Sequence, residues 1–262
     1  LECWTVLSAL AETTQNIRVG PLVTCNMFRY PSILAKMAAT VDMISNGRLN
    51  FGIGAGWHDA EATAYGVPFP KGRVRVEMLD EALTIIKNLW TGEEVTFSGK
   101  YYSINKSVCL PKPVQQPHPP ILVGGGGDKM LRVIAKHADA WNSGFTDPEG
   151  FKAEVARLEK ACKEVTRDHH TIENTFQSRI VIAESDENAL KRAEQWREER
   201  KGEPDSPDWK FCIKGSPETC VETLKTYIDV GITHFTLLFA DTAQLTPLQL
   251  FAEKVMPKFP HI

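Results

Sequence analysis

The chain has 262 residues, of which 42% are hydrophobic and 24% charged, and its 30 basic and 33 acidic side chains give a formal charge of −3. This composition is typical of a globular protein and excludes a disordered, collagen-like or coiled-coil chain. A near-neutral chain lacks the basic field that nucleic acid requires, so we expect a small-molecule partner. No apolar run approaches the roughly 18 residues of a membrane span and no signal-like segment opens the sequence, which predicts a soluble, cytoplasmic protein.

The six cysteines lie far apart and form no C-x-x-C pair. In a chain of this length the pattern favours free thiols in a reducing compartment over a disulfide framework. The cysteines are Cys3, Cys25, Cys109, Cys162, Cys212 and Cys220.

In chain order, the sequence opens on apolar residues at helical spacing, from Trp4 to Ala11, with no capping residue before them. We therefore expect it to begin inside a helix. Short apolar runs then alternate with helical patterns. The predicted strands cover 17–24, 49–56, 121–123, 140–142, 180–182 and 234–240. The predicted helices cover 31–44, 76–90, 130–138, 151–165, 186–200, 217–228 and 248–255.

Continuous apolar strands that alternate with helices predict a parallel sheet covered by helices, either open or closed into a barrel. Six strands are two fewer than an eight-fold barrel needs. We therefore predict one incomplete (β/α)8 barrel domain over 1–262 that lacks the first two βα units. The segment 93–120 interrupts the alternation with a predicted small hairpin and five prolines, and is interpreted as an insertion.

The most specific motif is a run of four glycines, 124–127, that joins a strand to a helix beginning at Asp128 and Lys129. Backbone without Cβ atoms at a helix N-terminus can approach an anion, so the run predicts a phosphate site. The alternative is a tight turn with Asp128 as the helix N-cap.

A second glycine-rich stretch, 52–57, fails as a dinucleotide fingerprint because Trp57 stands where the third glycine would be. It fits either a flat ring packed on bare backbone or close packing between a strand and a helix. A third stretch, 22–26, ends a strand in polar residues and by itself is no more than a connecting loop.

Signatures of other chemistries are missing: the sequence has no H-E-x-x-H, no G-x-S-x-G and no P-loop. His58 and Glu61 offer two metal ligands with no third, and the pair His169-His170 is interpreted as part of a charged surface turn. We therefore predict no metal site.

Several stretches together resemble the bacterial luciferase-like monooxygenases, especially their coenzyme F420-dependent oxidoreductase branch. They cover roughly the first 140 residues densely. The matching stretches are 17–24, 29–36, 44–57, 64–70, 89–92, 111–120, 124–127, 138–142, 215–218 and 251–257.

The resemblance implies a (β/α)8 barrel that binds F420 or FMN at its C-terminal mouth. It also implies a non-prolyl cis peptide behind the flavin ring, at Leu22-Val23 or Val23-Thr24. Leu22, Val23 and Thr24 would lie behind the ring, and Ala55, Gly56 and Trp57 would edge it. The phosphate would be held by Gly124, Gly125, Gly126, Gly127, Asp128 and Lys129. A basic cluster, Lys71, Arg73 and Arg75, could meet the anionic tail of F420, although a solvated face is the simpler reading.

The implied function is F420-dependent hydride transfer to or from a small organic substrate, with an FMNH2-dependent monooxygenase as the alternative. Two other hypotheses stay open: a barrel hydrolase or isomerase acting on a phosphorylated metabolite, and a non-catalytic flavin-binding or scaffold relative. The family's usual catalytic candidates lie in the two βα units expected to be missing, so no catalytic residue is assigned. The resemblance also implies a homodimer.

Overall fold

A computed structural model describes residues 1–240 and 245–259. The chain divides into two compact units. The first unit comprises residues 1–141 and 158–172, and the second comprises 142–157 and the residues from 173 onward. The single-domain organisation expected from the sequence stays a prediction.

Helices and strands alternate through the described residues, as the sequence pattern predicts. The helices are α1 (Cys3–Thr13), α2 (Pro31–Ile44), α3 (Asp59–Ala64), α4 (Gly72–Thr91), α5 (Asp128–His137), α6 (Pro148–Glu164), α7 (Asp186–Glu199), α8 (Pro207–Lys210), α9 (Pro217–Ile228) and α10 (Thr246–Lys254). The strands are β1 (Thr24–Cys25), β2 (Phe51–Gly54), β3 (Val95–Ser98), β4 (Ser103–Ser107), β5 (Ile121–Gly124), β6 (Ala140–Gly144), β7 (Glu173–Ile182), β8 (Ile213–Gly215) and β9 (His234–Phe239).

In the first unit β2 pairs in parallel with β1 on one side and with β5 on the other. The register sets Cys25 opposite Gly54 and Ile53 opposite Val123. This pairing brings the carboxyl ends of three consecutive parallel strands to one edge, where ligands of α/β proteins bind.

A cluster of aromatic rings lies in the core of the first unit. The Phe51 ring of β2 lies 5.0 Å from the Trp90 ring of α4 and 6.0 Å from the Trp4 ring of α1. The Trp90 indole donates to the carbonyl of Ala35 at 2.9 Å, so its one polar atom is paired inside the core. The apolar faces of α1, α2 and α4 therefore pack against the sheet, as the helical spacing of apolar residues predicts.

In the second unit β7 pairs in parallel with both β8 and β9. Phe176 of β7 is fully buried and packs against Phe151 and Tyr227, at ring distances of 6.1 and 4.6 Å. The α/β class with mainly parallel strands, predicted from the sequence, is confirmed in both units.

The predicted hairpin is also confirmed: β3 and β4 pair antiparallel around Ser98 and Ser103. The Glu81 carboxylate of α4 accepts three consecutive backbone N–H groups of the turn, from residues 100, 101 and 102, at 2.8 to 3.0 Å. The proline-rich part of the segment 93–120 is non-helical as predicted, with cis bonds before Pro111 and Pro117.

Three local predictions were wrong. The strand predicted over 17–24 is reduced to an isolated bridge at Val19 and the two residues of β1, since Pro21 has no N–H to donate to a ladder. Helix α1 does have a cap, because the Glu2 carboxylate accepts from the first-turn amides. Strand β8 was not predicted, because its three residues are too few to show a pattern of apolar residues.

Candidate active site

The candidate site is built on the carboxyl ends of β1, β2 and β5. The peptide bond between Leu22 and Val23 is cis, at the first of the two positions that the family resemblance implied. The Val23 side chain then turns toward the neighbouring strands: its methyl carbons lie 2.9 Å from the position a Cβ would take on Gly54, and 3.6 Å from that on Gly124.

Close packing explains two glycines of the stretch 52–57. A Cβ on Gly52 would lie 2.0 Å from the carbonyl oxygen of Pro21, and one on Gly54 would collide with Val23. Close packing therefore accounts for these two glycines, although the contacts come from Pro21 and Val23 just before β1 and not from a helix as that interpretation expected. The close approach leaves Val23 as the main side chain between the ends of three strands.

The loop that follows β2 is held by an arginine. Gly56 has a left-handed φ of +82° and lies against the Cys25 thiol. Arg75 of α4 donates to the carbonyls of Ala55 and Gly56, both at 3.2 Å, and its guanidinium stacks 3.9 Å from the centre of the Phe69 ring. These contacts hold the backbone of the loop in place.

Trp57 is the most exposed element of this loop, with 85% of its surface accessible, and its indole stacks on the His58 ring at 4.9 Å. An exposed aromatic plane beside fixed backbone is able to take a flat ligand.

The basic cluster after Pro70 does not act as one group. Arg75 is used inside the loop, whereas Arg73 pairs with Glu77 at 3.2 Å. Lys71 is exposed just before α4 begins. The idea that all three cations meet an anionic tail is therefore corrected: a structural contact occupies Arg75.

The four-glycine run forms an open corner between β5 and α5. Gly125 has a φ of +130°, and its carbonyl accepts from the buried Trp141 indole at 2.8 Å. Gly127 is the N-cap of α5, and a Cβ placed on it would meet no atom of the described residues within 4 Å. Packing thus gives no reason for glycine at 127, whereas close approach of a ligand does.

The first turn of α5 offers backbone donors. The first intrahelical bond runs from the Leu131 amide to the Gly127 carbonyl at 2.9 Å, so the amides of Lys129 and Met130 precede it. The N-cap glycine supplies no side-chain acceptor for them. Asp128 is the first helical residue instead of the N-cap, and the alternative of an Asp128-capped turn is therefore wrong.

The charge at this corner is mixed, because the exposed Asp128 carboxylate lies in the same turn as the exposed Lys129. An anion bound here would rely on amide hydrogen bonds, since the helix dipole contributes only about 0.3–1 kcal/mol.

The end of β1 holds residues that the sequence ranked low. Thr24 is buried, and its hydroxyl accepts from the Trp4 indole at 3.2 Å. Asn26 is fully buried and donates to the Tyr102 hydroxyl at 3.1 Å, while its side-chain oxygen has no hydrogen-bond partner among residues 1–240 and 245–259. Burial raises the pKa of Tyr102 and that of the neighbouring Cys25, so both stay protonated near neutral pH. Tyr102 was missed because it comes from the inserted hairpin, far away in sequence.

A concavity in the first unit, about 380 Å³ in volume, lies away from the candidate site, at the opposite ends of the strands. Pro120 and Asp139 immediately precede β5 and β6, so this pocket is at the amino ends, where barrel residues serve stability. It is lined by Gln115, Gln116, Pro117, His118, Pro120 and Asp139.

Among the residues with described positions, no helix combines the length and apolarity needed to cross a membrane.

Comparison with known proteins adds three findings. The family model of the luciferase-like monooxygenases matches residues 1–234. An F420-dependent glucose-6-phosphate dehydrogenase from Amycolatopsis mediterranei (strain U-32) is 28% identical to this chain, over 96% of the chain and 82% of the relative. The coenzyme F420 dependent tetrahydromethanopterin reductase from Methanopyrus kandleri superposes with a TM-score of 0.83 at 21% identity, over 99% of this chain and 88% of that one.

A solved F420-dependent secondary alcohol dehydrogenase, in complex with an F420-acetone adduct, superposes with a TM-score of 0.85. It is 21% identical and covers 98% of this chain and 84% of its own. At these identities the two solved structures establish a shared fold.

Proposed function

The chain belongs to the luciferase-like monooxygenase family, and we propose that within it the chain is an F420-dependent oxidoreductase that acts on a small organic substrate. The fold class follows from the family: an α/β barrel of the luciferase-like type. The expected absence of two βα units and the homodimer stay predictions.

Two lines support F420 as the cofactor. The relative that aligns with 96% of this chain is named for its F420 dependence, as are both solved structures described above. The residues present also fit such a group: bare backbone after β5 suits a phosphate, and a fixed loop with an exposed aromatic after β2 suits a flat ring. When bound, F420 supplies or accepts a hydride.

The chain's own residues would bind the cofactor, orient its ring and shield it from water. The amides of the 124–127 corner and the first turn of α5 would hold the phosphate, which fixes one end of the cofactor. Leu22, Val23 and Thr24 would form the wall behind the ring, and Ala55, Gly56 and Trp57 its edge. Pinning a ring between a wall and an edge sets the distance to substrate and excludes water, which is the protein's part in cofactor chemistry.

The single observation that carries the proposal is the open corner at Gly127, where neither packing nor backbone conformation calls for glycine. The runner-up is an FMNH2-dependent monooxygenase, because the same corner would hold the phosphate of FMN.

A binding titration tests the cofactor. The protein is titrated separately with F420 and FMN, and binding is followed by the change in cofactor fluorescence. We expect saturable F420 binding, and FMN at least about tenfold weaker, a difference of about 1.4 kcal/mol. Saturable FMN binding without F420 binding would reverse the preference and favour the monooxygenase. Failure of both cofactors to bind would overturn the proposal.

A further inference from the structure

The turn between α6 and β7 brings three metal-binding side chains together, at a distance in sequence from the candidate active site. Asp168, His169 and His170 each offer a ligand atom, and these atoms lie within 4.8 Å of one another. In the part of the chain with described positions this is the one such group of three or more. All three residues belong to the first unit.

The backbone of this turn is held in place independently of any metal. Residues His169–Thr171 form a 3-10 helix, and the Asp168 side chain accepts the His170 amide at 3.0 Å. The Thr171 hydroxyl donates to the Asp168 carbonyl at 2.7 Å, and the buried Ile172 continues the chain. Bringing the side chains onto one ion therefore requires only side-chain rotation.

The distances are close to those of a coordination sphere. Asp168 Oδ1 lies 2.9 Å from His170 Nδ1 and 4.0 Å from His169 Nδ1. Two ligands of a tetrahedral zinc ion, with bonds of about 2.0–2.1 Å, are separated by about 3.3 Å. The two imidazole rings are adjacent, with centroids 3.9 Å apart and ring planes tilted by 39°.

Charged groups of both signs lie around the cluster. Arg167 uses its guanidinium on neutral acceptors, since it donates to the Thr171 hydroxyl at 3.0 Å and to the Ala135 carbonyl at 3.2 Å. Glu159 of α6 is near enough for the charges of both histidines to help lower its pKa, after the larger effect of its ion pair with Lys163. Asp168 thus contributes a carboxylate to the cluster itself, while the nearby Glu159 carboxylate is paired with Lys163.

We propose that Asp168, His169 and His170 form a surface site for a transition-metal ion of the zinc class. Two imidazoles and one carboxylate suit Zn²⁺, Ni²⁺ or Cu²⁺, whereas Mg²⁺ and Ca²⁺ prefer oxygen ligands alone. The ion takes the place of the hydrogen that links Asp168 to His170, and water completes the coordination. The sequence-based prediction of no metal site is revised by this proposal, which is independent of the proposed redox function.

Zinc titration by isothermal calorimetry, on protein without a polyhistidine tag, tests the site. We expect one equivalent of Zn²⁺ to bind the wild type. Because even indirect partners of a metal are worth about 10–100-fold in affinity, His169→Ala and His170→Ala should each weaken binding at least tenfold. Both side chains are on the surface turn, and circular dichroism and the melting temperature verify that the variants fold.

His234→Ala is the matched control. This histidine is 44% exposed and lies 3.9 Å from a Glu173 carboxylate oxygen, and among the described residues it belongs to no group of three possible metal ligands. It should leave zinc binding unchanged. Equal loss in the control variant, or wild-type zinc binding no stronger than that of His169→Ala combined with His170→Ala, would overturn the site.

Discussion

Two strand-to-helix corners, one in each unit, contain glycine for different reasons. In the second unit Gly215 ends β8 before α9, and a Cβ there would lie 2.6 Å from the Thr219 methyl and 2.9 Å from Asp186 Oδ1. The Asp186 carboxylate fills this corner and accepts the Ser216 amide at 2.6 Å. That hydrogen bond is the main reason for the lowered pKa of Asp186.

Among the described residues, nothing fills the corner at Gly127 in the first unit: its N-cap residue has no side chain to cap the helix, and a Cβ there would meet no atom within 4 Å. One helix N-terminus therefore binds a carboxylate of its own chain, while the other has space beside its N-cap. The comparison indicates that glycine alone does not mark an anion site: the site requires that the chain leave the donors open.

The largest expected effect is at the Gly215 corner, which Asp186 closes. Gly215→Ala places a methyl group into Thr219 and Asp186, and overpacking of this kind costs about 1–3 kcal/mol. We expect the free energy of unfolding to fall by about that amount in urea denaturation, with the F420 dissociation constant unchanged. A variant as stable as wild type would show that the corner can relax, which would break the comparison.

The open corner should respond in the opposite way. Gly127→Ala adds a methyl group where nothing packs, and its φ of −72° suits alanine. The lost flexibility of the unfolded chain and the poorer N-cap oppose each other, so stability should change by less than about 1 kcal/mol. F420 affinity should fall about tenfold, as measured by the fluorescence titration. Unchanged affinity for both F420 and FMN would show that the cofactor phosphate does not bind at this corner.

The smallest effect concerns the other end of α5. Asp80 of α4 accepts from His137 at 2.6 Å and from Lys136 at 2.9 Å, and the His137 hydrogen bond is the main cause that lowers the Asp80 pKa to about 2. A pKa below the ordinary value of 3.8 stabilises the fold above about pH 4, and that stability is lost as the pH falls toward 2. Since the Asp80 side chain is 37% exposed, screening reduces the contribution to about 1 kcal/mol.

Asp80→Asn should therefore cost about 1 kcal/mol at pH 7, and the cost should shrink between pH 4 and pH 2 in denaturant titrations. Burial lowers the pKa of His137, although the bond to Asp80 opposes this shift. The neutral imidazole is thus favoured in the fold, and both proteins should lose further stability as the pH falls below about 6.5. A pH-independent difference between them would contradict the role of Asp80. F420 affinity should stay unchanged, since this end of α5 is remote from the Gly127 corner along the helix.

Much of the fold was predictable because periodicity depends on local sequence. The apolar spacing in α4 and α9 was sufficient to predict both helices, and Ser216 caps α9 as its sequence indicates. The same local information failed at 17–24, where the apolar residues make few pairs with a neighbouring strand. It also failed at β8, whose three residues are too few to show a pattern.

The sequence predicted which stretches form the site, but not the physical reason for each glycine in them. The glycines at 52, 54, 56 and 124–127 all stood out in the sequence, yet only coordinates separate those that Val23 and Pro21 crowd from the one that faces open space. The contact of Asn26 with Tyr102 joins residues 76 positions apart, and no local pattern encodes such a pair.

The sequence by itself determined the alternation of helices and strands, the family, and the stretches in which bare backbone occurs, because each of these depends on residue type and spacing along the chain. Only the tertiary structure decided which corner is open and which carboxylate closes the other. It also showed that Arg75 supports a loop and that Asp168, His169 and His170 converge. These outcomes depend on which side chains occupy the space around each backbone group, and that space is defined by elements distant in sequence.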